Sequence, residues 1–175
     1  MAGPRQAEIV PLRPAPVAPP APIEPALAAR GLWKVFGVEP AAFQAADGSR
    51  LDGEEMARRG WVPAIRDATI EVMPGEAFVI MGLSGSGKST MVRCLSRLIE
   101  PTAGQVLFHG EDLLAMPEAK LTEIRRTRMG MVFQHFALLP NRTVLGNVAL
   151  PLEIQGIKRA ERDARAMEMI ELVGL

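Results

Sequence analysis

The chain has 175 residues, with 20 basic side chains balancing 20 acidic ones and 48% of residues hydrophobic, which is typical of one globular domain with a tail. The balanced charge argues against a nucleic-acid partner, which needs a basic excess to neutralise phosphates, and the single cysteine excludes an intrachain disulfide framework. Because no apolar run approaches the roughly 18 residues of a membrane span, we expect a cytoplasmic chain unless a partner holds it at a membrane.

The N-terminal segment 1–29 is rich in proline and alanine, and eight of the fifteen prolines lie in the first 25 residues. Proline fixes φ and removes a backbone donor, so this composition predicts a disordered, extended tail. A rigid spacer or a proline-motif ligand is the alternative interpretation. From residue 30 to residue 175 the pattern is that of a globular domain.

The first half of this domain contains three predicted strands. The apolar and aromatic residues 31–37 predict a strand that ends at a glycine, and the irregular stretch that follows allows a short helix at 52–59. Alternating apolar residues at 68–72 predict a half-exposed strand. The unbroken apolar run 77–81 is typical of a strand buried on both faces of a parallel sheet.

The second half continues the alternation. Apolar residues with helical spacing follow the glycine-rich loop at 82–89. The sequence then predicts a strand at 105–108, a charged helix at 117–128, a strand at 129–133 and helical sequence from Thr143. Cys94 falls on the apolar side of the first of these helices, which predicts a buried structural thiol. The arginines at 125, 126 and 128 predict the solvated face of a helix. Alternating strands and helices indicate an α/β fold.

The segment Gly82-Leu-Ser-Gly-Ser-Gly-Lys-Ser89 is a full match to G-x-x-x-x-G-K-[ST]. Its glycines let backbone N–H groups approach a phosphate, and the N-terminus of the following helix adds further donors. Lys88 supplies a cation for the β- and γ-phosphates, and the Ser89 hydroxyl is a ligand for Mg²⁺. The absence of G-x-G-x-x-G from this loop disfavours a hydride-transfer cofactor, and the absence of Asn-Lys-x-Asp weakens a GTPase assignment.

Four segments together resemble the nucleotide-binding subunit of an ABC transporter: Lys34-Val-Phe-Gly37, the phosphate loop, Glu100-Pro-Thr-Ala-Gly-Gln-Val106, and the run from Met131 to Pro140. The resemblance implies a P-loop NTPase fold, with a RecA-like parallel sheet and an antiparallel β subdomain. It also implies that residues 143–175 begin the helical subdomain, within which the chain ends.

The resemblance assigns roles residue by residue. Phe36 matches the aromatic that stacks on adenine; Trp33, the competing candidate, is expected to pack instead. Gln134 matches the glutamine that approaches Mg²⁺ and the attacking water, so that it would share the metal with Ser89. The residues implied to hold the phosphates of ATP are Gly82, Ser84, Gly85, Ser86, Gly87, Lys88, Ser89 and Thr90.

An insertion at 38–65 narrows the resemblance to the ATP-binding subunits of glycine betaine/L-proline (quaternary-amine) importers. The implied partners are a membrane permease, a second copy of the subunit and, indirectly, a periplasmic or extracellular substrate-binding protein, which places the chain peripherally on the cytoplasmic face of the membrane. Amino-acid and lipoprotein-type transport ATPases are the alternatives within the family. For the apolar residues at 136–144 two interpretations stay open: a groove that binds the permease, or packing within the chain.

Later motifs of the family, a Leu-Ser-Gly-Gly signature, a strand ending in Asp-Glu and a switch histidine, do not occur. We therefore expect an N-terminal fragment of a longer subunit that is inactive in hydrolysis alone. Two hypotheses follow: part of a transport ATPase, or a nucleotide-binding module without turnover. A nucleotide kinase or another P-loop protein is a third, weaker interpretation.

Overall fold

A computed structural model describes residues 24–133 and 138–175. Four antiparallel strands form a sheet in the order β2-β1-β3-β4. The strands are β1 (Leu27–Phe36), β2 (Val62–Val72), β3 (Ala103–Phe108) and β4 (Glu111–Asp112). This sheet corresponds to the antiparallel β subdomain that the family resemblance implied.

Seven α-helices are formed among the described residues. The insertion contains α1 (Pro40–Ala45) and α2 (Gly53–Arg58), with a 3₁₀ turn at Gly48–Arg50 between them. The phosphate loop leads into α3 (Lys88–Leu95), and α4 (Glu118–Thr127) follows the sheet. The C-terminal part contains α5 (Val144–Val148), α6 (Leu150–Ile154) and α7 (Arg159–Leu172).

Both faces of β1 are covered, so the consecutive residues Leu32 and Trp33 are both buried. Leu32 belongs to a cluster with Ile65, Cys94 and Val106 on the face covered by α3. Trp33 belongs to a second cluster, with Val35, Phe43 and Met56, on the face covered by the insertion. Irregular register along β1 and β2 marks bulges, which bend the paired strands between these two layers.

The insertion folds as a helical cover rather than as an irregular loop. The predicted short helix is confirmed as α2, where Asp52 Oδ1 accepts from the Glu55 N–H at 2.8 Å and the Glu55 side chain accepts from the Asp52 N–H. This reciprocal capping box satisfies two backbone donors at the start of a helix of only six residues. Phe43 and Met56 then anchor the two helices on the sheet.

The strands predicted at 77–81 and 129–133 are not formed: neither segment has strand pairing. Val79 is 70% exposed and Met81 85% exposed, whereas a strand in a parallel sheet is buried on both faces. A parallel strand depends on hydrogen-bonded neighbours, and the described strands pair only with one another. Within the described residues, no parallel sheet is therefore present.

Two further expectations are modified. Arg125 is not part of a purely solvated face, because its guanidinium donates to the carbonyl oxygens of Ser96 and Arg97 beyond α3.

β1 begins at Leu27 and so takes in the last three residues of the predicted tail, of which residues 1–23 lie outside the described part. None of the helices in the described ranges has the length and hydropathy to cross a membrane.

Candidate functional site

The phosphate loop at 82–89 packs closely against β2. Gly87 precedes α3 with φ of 86°, in the left-handed region that glycine favours. A Cβ at Gly87 would overlap the backbone carbonyl of Ala64 in β2, and one at Gly82 would lie 2.8 Å from Ser86 Oγ. The contact with the backbone of β2 thus requires glycine at position 87, whereas a Cβ at position 82 would require the Ser86 hydroxyl to move.

Lys88 lies at the first position of α3, and its ammonium turns back over the loop. Nζ donates to the carbonyl oxygens of Gly82 at 2.8 Å and Leu83 at 2.6 Å, and lies 3.5 Å from Ser86 Oγ. These contacts hold one positive charge at the N-terminus of an eight-residue helix, where the helix dipole adds partial positive charge. Together they form a site with the electrostatics of an anion receptor.

Phe36 lies at the same end of the sheet as the loop. It pairs across the strands with Val62, two residues before Ala64, whose carbonyl contacts Gly87. Phe36 is 41% exposed, whereas Trp33 is 7% exposed, with its ring 5.5 Å from that of Phe43. Of the two aromatic candidates, Phe36 has the accessible ring, and Trp33 packs in the insertion cluster as expected.

Lys34 is a feature of this region to which the sequence pattern assigned no role. Its Nζ lies 5.0 Å from the centroid of the Phe36 ring and donates to the Glu100 carbonyl oxygen at 2.8 Å. The sequence signal for this contact was the i, i+2 spacing of Lys34 and Phe36, because residues two apart on a strand lie on the same face.

Cys94 is fully buried on the sheet side of α3, as predicted. Burial raises the pKa of the Cys94 thiol, a shift that the nearby Lys34 ammonium partly opposes and the Glu100 carboxylate reinforces. The thiol is thus neutral at physiological pH and packs as an apolar side chain.

Of the two residues predicted to bind the metal, Ser89 and Gln134, only Ser89 lies within the described residues. Ser89 lies in the first turn of α3 with an exposed side chain, which leaves its hydroxyl accessible beside Lys88. Gln134 lies outside the described residues, so its role stays a prediction. Over 24–133 and 138–175, no group of three or more His, Cys, Asp or Glu side chains forms a separate metal cluster.

Comparison with known proteins identifies relatives for most of the chain. The family model described as ABC transporter matches residues 65–175. The trimethylamine N-oxide transport system ATP-binding protein TmoW of Ruegeria pomeroyi is 48% identical over 86% of this chain and 44% of its own length. The glycine betaine/proline betaine transport system ATP-binding protein ProV of Escherichia coli is 46% identical over 83% and 37%, respectively.

Solved structures agree with this similarity. Two dimeric structures of the ATP-binding cassette MJ0796 superpose on this chain, with a TM-score of 0.66 for the post-hydrolysis state bound to ADP and Pi and 0.68 for the other. Both are 32% identical and cover 85% of this chain and 57% of the solved chain. This likeness confirms the predicted fold class. The chain spans less than half the length of the two curated relatives described above.

Proposed function

The chain belongs to the ABC transporter family, and from that premise we propose that it forms the nucleotide-binding part of an ATPase that drives solute import. The observation that carries the proposal is the convergence of the Lys88 ammonium, the N-terminus of α3 and the exposed Phe36 ring at one end of the sheet. A cation and backbone donors bind phosphate groups, and an aromatic ring stacks on a base, so together they suit a nucleotide.

The phosphate loop fits a polyphosphate for reasons of shape and charge. A Cβ at Gly87 would overlap the Ala64 carbonyl, and the glycines of the loop carry no side chain that could shield backbone N–H groups from a phosphate. The Lys88 ammonium is already within the loop, where it satisfies carbonyl oxygens. The carbonyl oxygens are neutral acceptors whereas phosphate oxygens carry negative charge, so exchange of carbonyl for phosphate adds the attraction between opposite charges and favours ATP. The residues proposed to hold the phosphates are Gly82, Ser84, Gly85, Ser86, Gly87, Lys88, Ser89 and Thr90.

Magnesium is part of the proposal. Ser89 and Gln134 would hold it, with the hydroxyl and amide oxygens that a hard cation prefers. When bound, the ion neutralises charge on the β- and γ-phosphates. The chain's own contribution is to place the Ser89 hydroxyl in the first turn of α3, directly after the Lys88 cation.

Phe36 is proposed as the platform for the adenine base. Its ring is accessible at the loop end of β1, and Val62 opposite it is also exposed, so the two side chains form a small apolar surface. A base that stacks on such a ring gains about 1–3 kcal/mol.

We propose quaternary or related amine osmolytes as the transported substrates. Relatives named for trimethylamine N-oxide, for glycine betaine/proline betaine and for glycine betaine alone match 86%, 83% and 81% of the chain. Relatives named for methionine import reach similar identity but match 67%, which makes amino-acid import the second candidate. A membrane permease, a second copy of the subunit and a substrate-binding protein are the proposed partners, and the cytoplasmic membrane face is the proposed location.

Replacement of Lys88 by alanine tests the nucleotide site. Loss of charge-assisted contacts worth roughly 1.5–3 kcal/mol each predicts a fall in Mg-ATP affinity of about ten- to a hundredfold. Titration of the full-length protein with a fluorescent ATP analogue measures this, and Lys120→Ala, which removes an exposed lysine paired with Glu111, is the control. Equal affinities in Lys88→Ala and wild type would contradict the proposed phosphate site.

The substrate is tested separately, by uptake in cells that carry the complete transporter. Radiolabelled glycine betaine, trimethylamine N-oxide and methionine are compared, with Lys88→Ala as the inactive control. Uptake of an amine osmolyte is expected, and uptake of methionine alone would favour the second candidate.

A further inference from the structure

We propose that Lys34 is a positioning residue for the base platform: its ammonium fixes the Phe36 ring and thereby strengthens the binding of the nucleotide base. The inference rests on the proposed function, because it concerns the same site, and adds to it a residue that does not itself contact the base.

Two contacts define the position of the Lys34 ammonium. Nζ lies 5.0 Å from the centroid of the Phe36 ring, within the roughly 6 Å at which a cation is attracted to an aromatic face. Nζ also donates to the Glu100 carbonyl oxygen at 2.8 Å. No described carboxylate lies within ion-pair distance of Lys34, so within this part of the chain the ring and the carbonyl are the partners of the charge.

The carbonyl that anchors Lys34 belongs to a firmly held turn. Arg97 Nε donates to Glu100 Oε2 at 2.9 Å, and Arg97 Nη1 donates to the Leu113 carbonyl oxygen at 2.8 Å. This turn follows α3, whose first residue is Lys88. Lys34 therefore connects the Phe36 ring to the turn directly after the helix that begins with the Lys88 cation.

An exposed aromatic ring without such a clamp would exchange between rotamers, and a base that stacks on it would have to immobilise it. The Lys34 ammonium lies over the Phe36 ring, and in this proposal the base stacks on the face opposite the ammonium. Because a cation attracts the π electrons of the face it covers, the ring is both held and polarised before the nucleotide arrives. Loss of the charge should therefore weaken base recognition and leave phosphate recognition unchanged.

The test compares Lys34→Met, which keeps the length of the stem, with Lys34→Arg, which keeps a cation. Affinities for ATP and for inorganic triphosphate are measured on the full-length protein by calorimetry, and thermal unfolding checks that each variant is folded. We expect Lys34→Met to weaken ATP about fivefold, with triphosphate affinity unchanged, and Lys34→Arg to recover ATP affinity to within about twofold. Lys34→Gln is measured in the same way, so that the test does not depend on the folding of Lys34→Met.

A double-mutant cycle with Phe36→Leu identifies the route of the effect. If Lys34 acts through the ring, Lys34→Met in the Phe36→Leu background weakens ATP binding no further. A fivefold loss in both backgrounds, or an equal loss for triphosphate, overturns the inference. Wild-type protein that binds no ATP contradicts the proposed function itself, whereas wild type that binds ATP with Lys34→Met unchanged overturns this inference alone.

Discussion

Phe36 and Trp33 lie three residues apart on β1 but on opposite faces, and this difference predicts different results for the two alanine variants. Phe36→Ala should weaken ATP binding by about 1–3 kcal/mol and leave competition by pyrophosphate intact, because only base stacking is lost. Trp33→Ala should instead lower the free energy of unfolding by about 3–5 kcal/mol, because it opens a cavity beside Phe43.

Both variants are compared by ATP titration and by denaturant unfolding. A folded Trp33→Ala protein with the larger loss of ATP affinity would show that the base lies on the other face of the sheet.

Gly87 is the second residue at which geometry makes a sharp prediction. Gly87→Ala must accept a left-handed backbone, at a cost of about 1–2 kcal/mol, and must also displace the Ala64 carbonyl of β2. Gly75→Ala is the matched control, since Gly75 has φ of 77° but no atom within 4 Å of the added Cβ. We expect Gly87→Ala to lower the unfolding free energy more than Gly75→Ala does, and to abolish ATP binding. Equal destabilisation by the two changes would contradict the close packing of loop and strand.

At the scale of the elements, local patterns predicted those that depend on local interactions. The alternating residues at 68–72 in β2, the apolar residues before Gly37, the short helix α2 and the charged α4 were all assigned correctly. The strands at 77–81 and 129–133 were predicted wrongly. A run of apolar residues indicates that a strand would be buried, but it does not indicate which strand would pair with it. Arg125 was misplaced for a similar reason, since its carbonyl partners are 28 and 29 residues away.

The candidate site shows the same difference between features that local sequence patterns predict and features that they do not. The phosphate loop is contiguous in sequence, so its residues and the following helix could be named in advance. The contact between Gly87 and Ala64 and the contact between Lys34 and Glu100 join segments 23 and 66 residues apart, and no local pattern encodes them. Resemblance to a family supplied Phe36 as the proposed base platform, and the structure shows that Trp33 is buried beside Phe43.

The C-terminal helices contain an ion pair with a predictable dependence on pH. Glu153 Oε2 accepts from Arg142 Nη1 at 2.8 Å and lies 3.5 Å from Arg162 Nη2, which links α6 to the residues before α5 and to α7. The hydrogen bond from Arg142 lowers the pKa of Glu153, against the opposing effect of burial. A lowered pKa in the folded state contributes stability above the ordinary pKa of about 4.3, and this stability is lost as the pH falls through the folded-state value.

Glu153→Gln should therefore reduce the dependence of stability on pH below about 4.3 and lower stability at neutral pH. Unfolding by urea between pH 3 and pH 7 measures both effects. Glu161→Gln is the control, because Glu161 pairs with Arg165 on the exposed face of α7. Identical pH profiles for wild type and Glu153→Gln would show that the pair contributes nothing.

On the scale of the whole molecule, several large apolar side chains among the described residues are exposed to solvent. Val79 and Met81 before the phosphate loop and Val132 after α4 are exposed. A groove of about 460 Å³ beside the sheet is lined largely by apolar side chains, among them Leu27, Ile70, Phe78, Phe108 and Met129. Patches of this kind mark surfaces that other protein covers, or that aggregate when left uncovered.

We make a prediction for the polypeptide of residues 1–175 produced alone. It is based on the exposed apolar surface and on the side chains that could act as a general base. It should bind a hydrophobic dye such as ANS and should not release phosphate from ATP at a measurable rate. General-base catalysis of hydrolysis needs a group that takes a proton from the attacking water. Neither the Ser89 hydroxyl nor the Gln134 amide is basic enough, and the Asp-Glu and Leu-Ser-Gly-Gly motifs that the family resemblance associates with turnover do not occur in this sequence.

Phosphate release is measured beside the full-length protein, with Lys88→Ala in both as the background control. Nucleotide binding by the short polypeptide is followed in parallel with a fluorescent ATP analogue, so that loss of turnover can be separated from loss of binding. Turnover by residues 1–175 at a rate close to that of the full-length protein, and abolished by Lys88→Ala, would mean that a base within this chain activates the water. The carboxylates of Glu76 and Glu100, which lie before and after the phosphate loop in sequence, would then be the first to replace by glutamine.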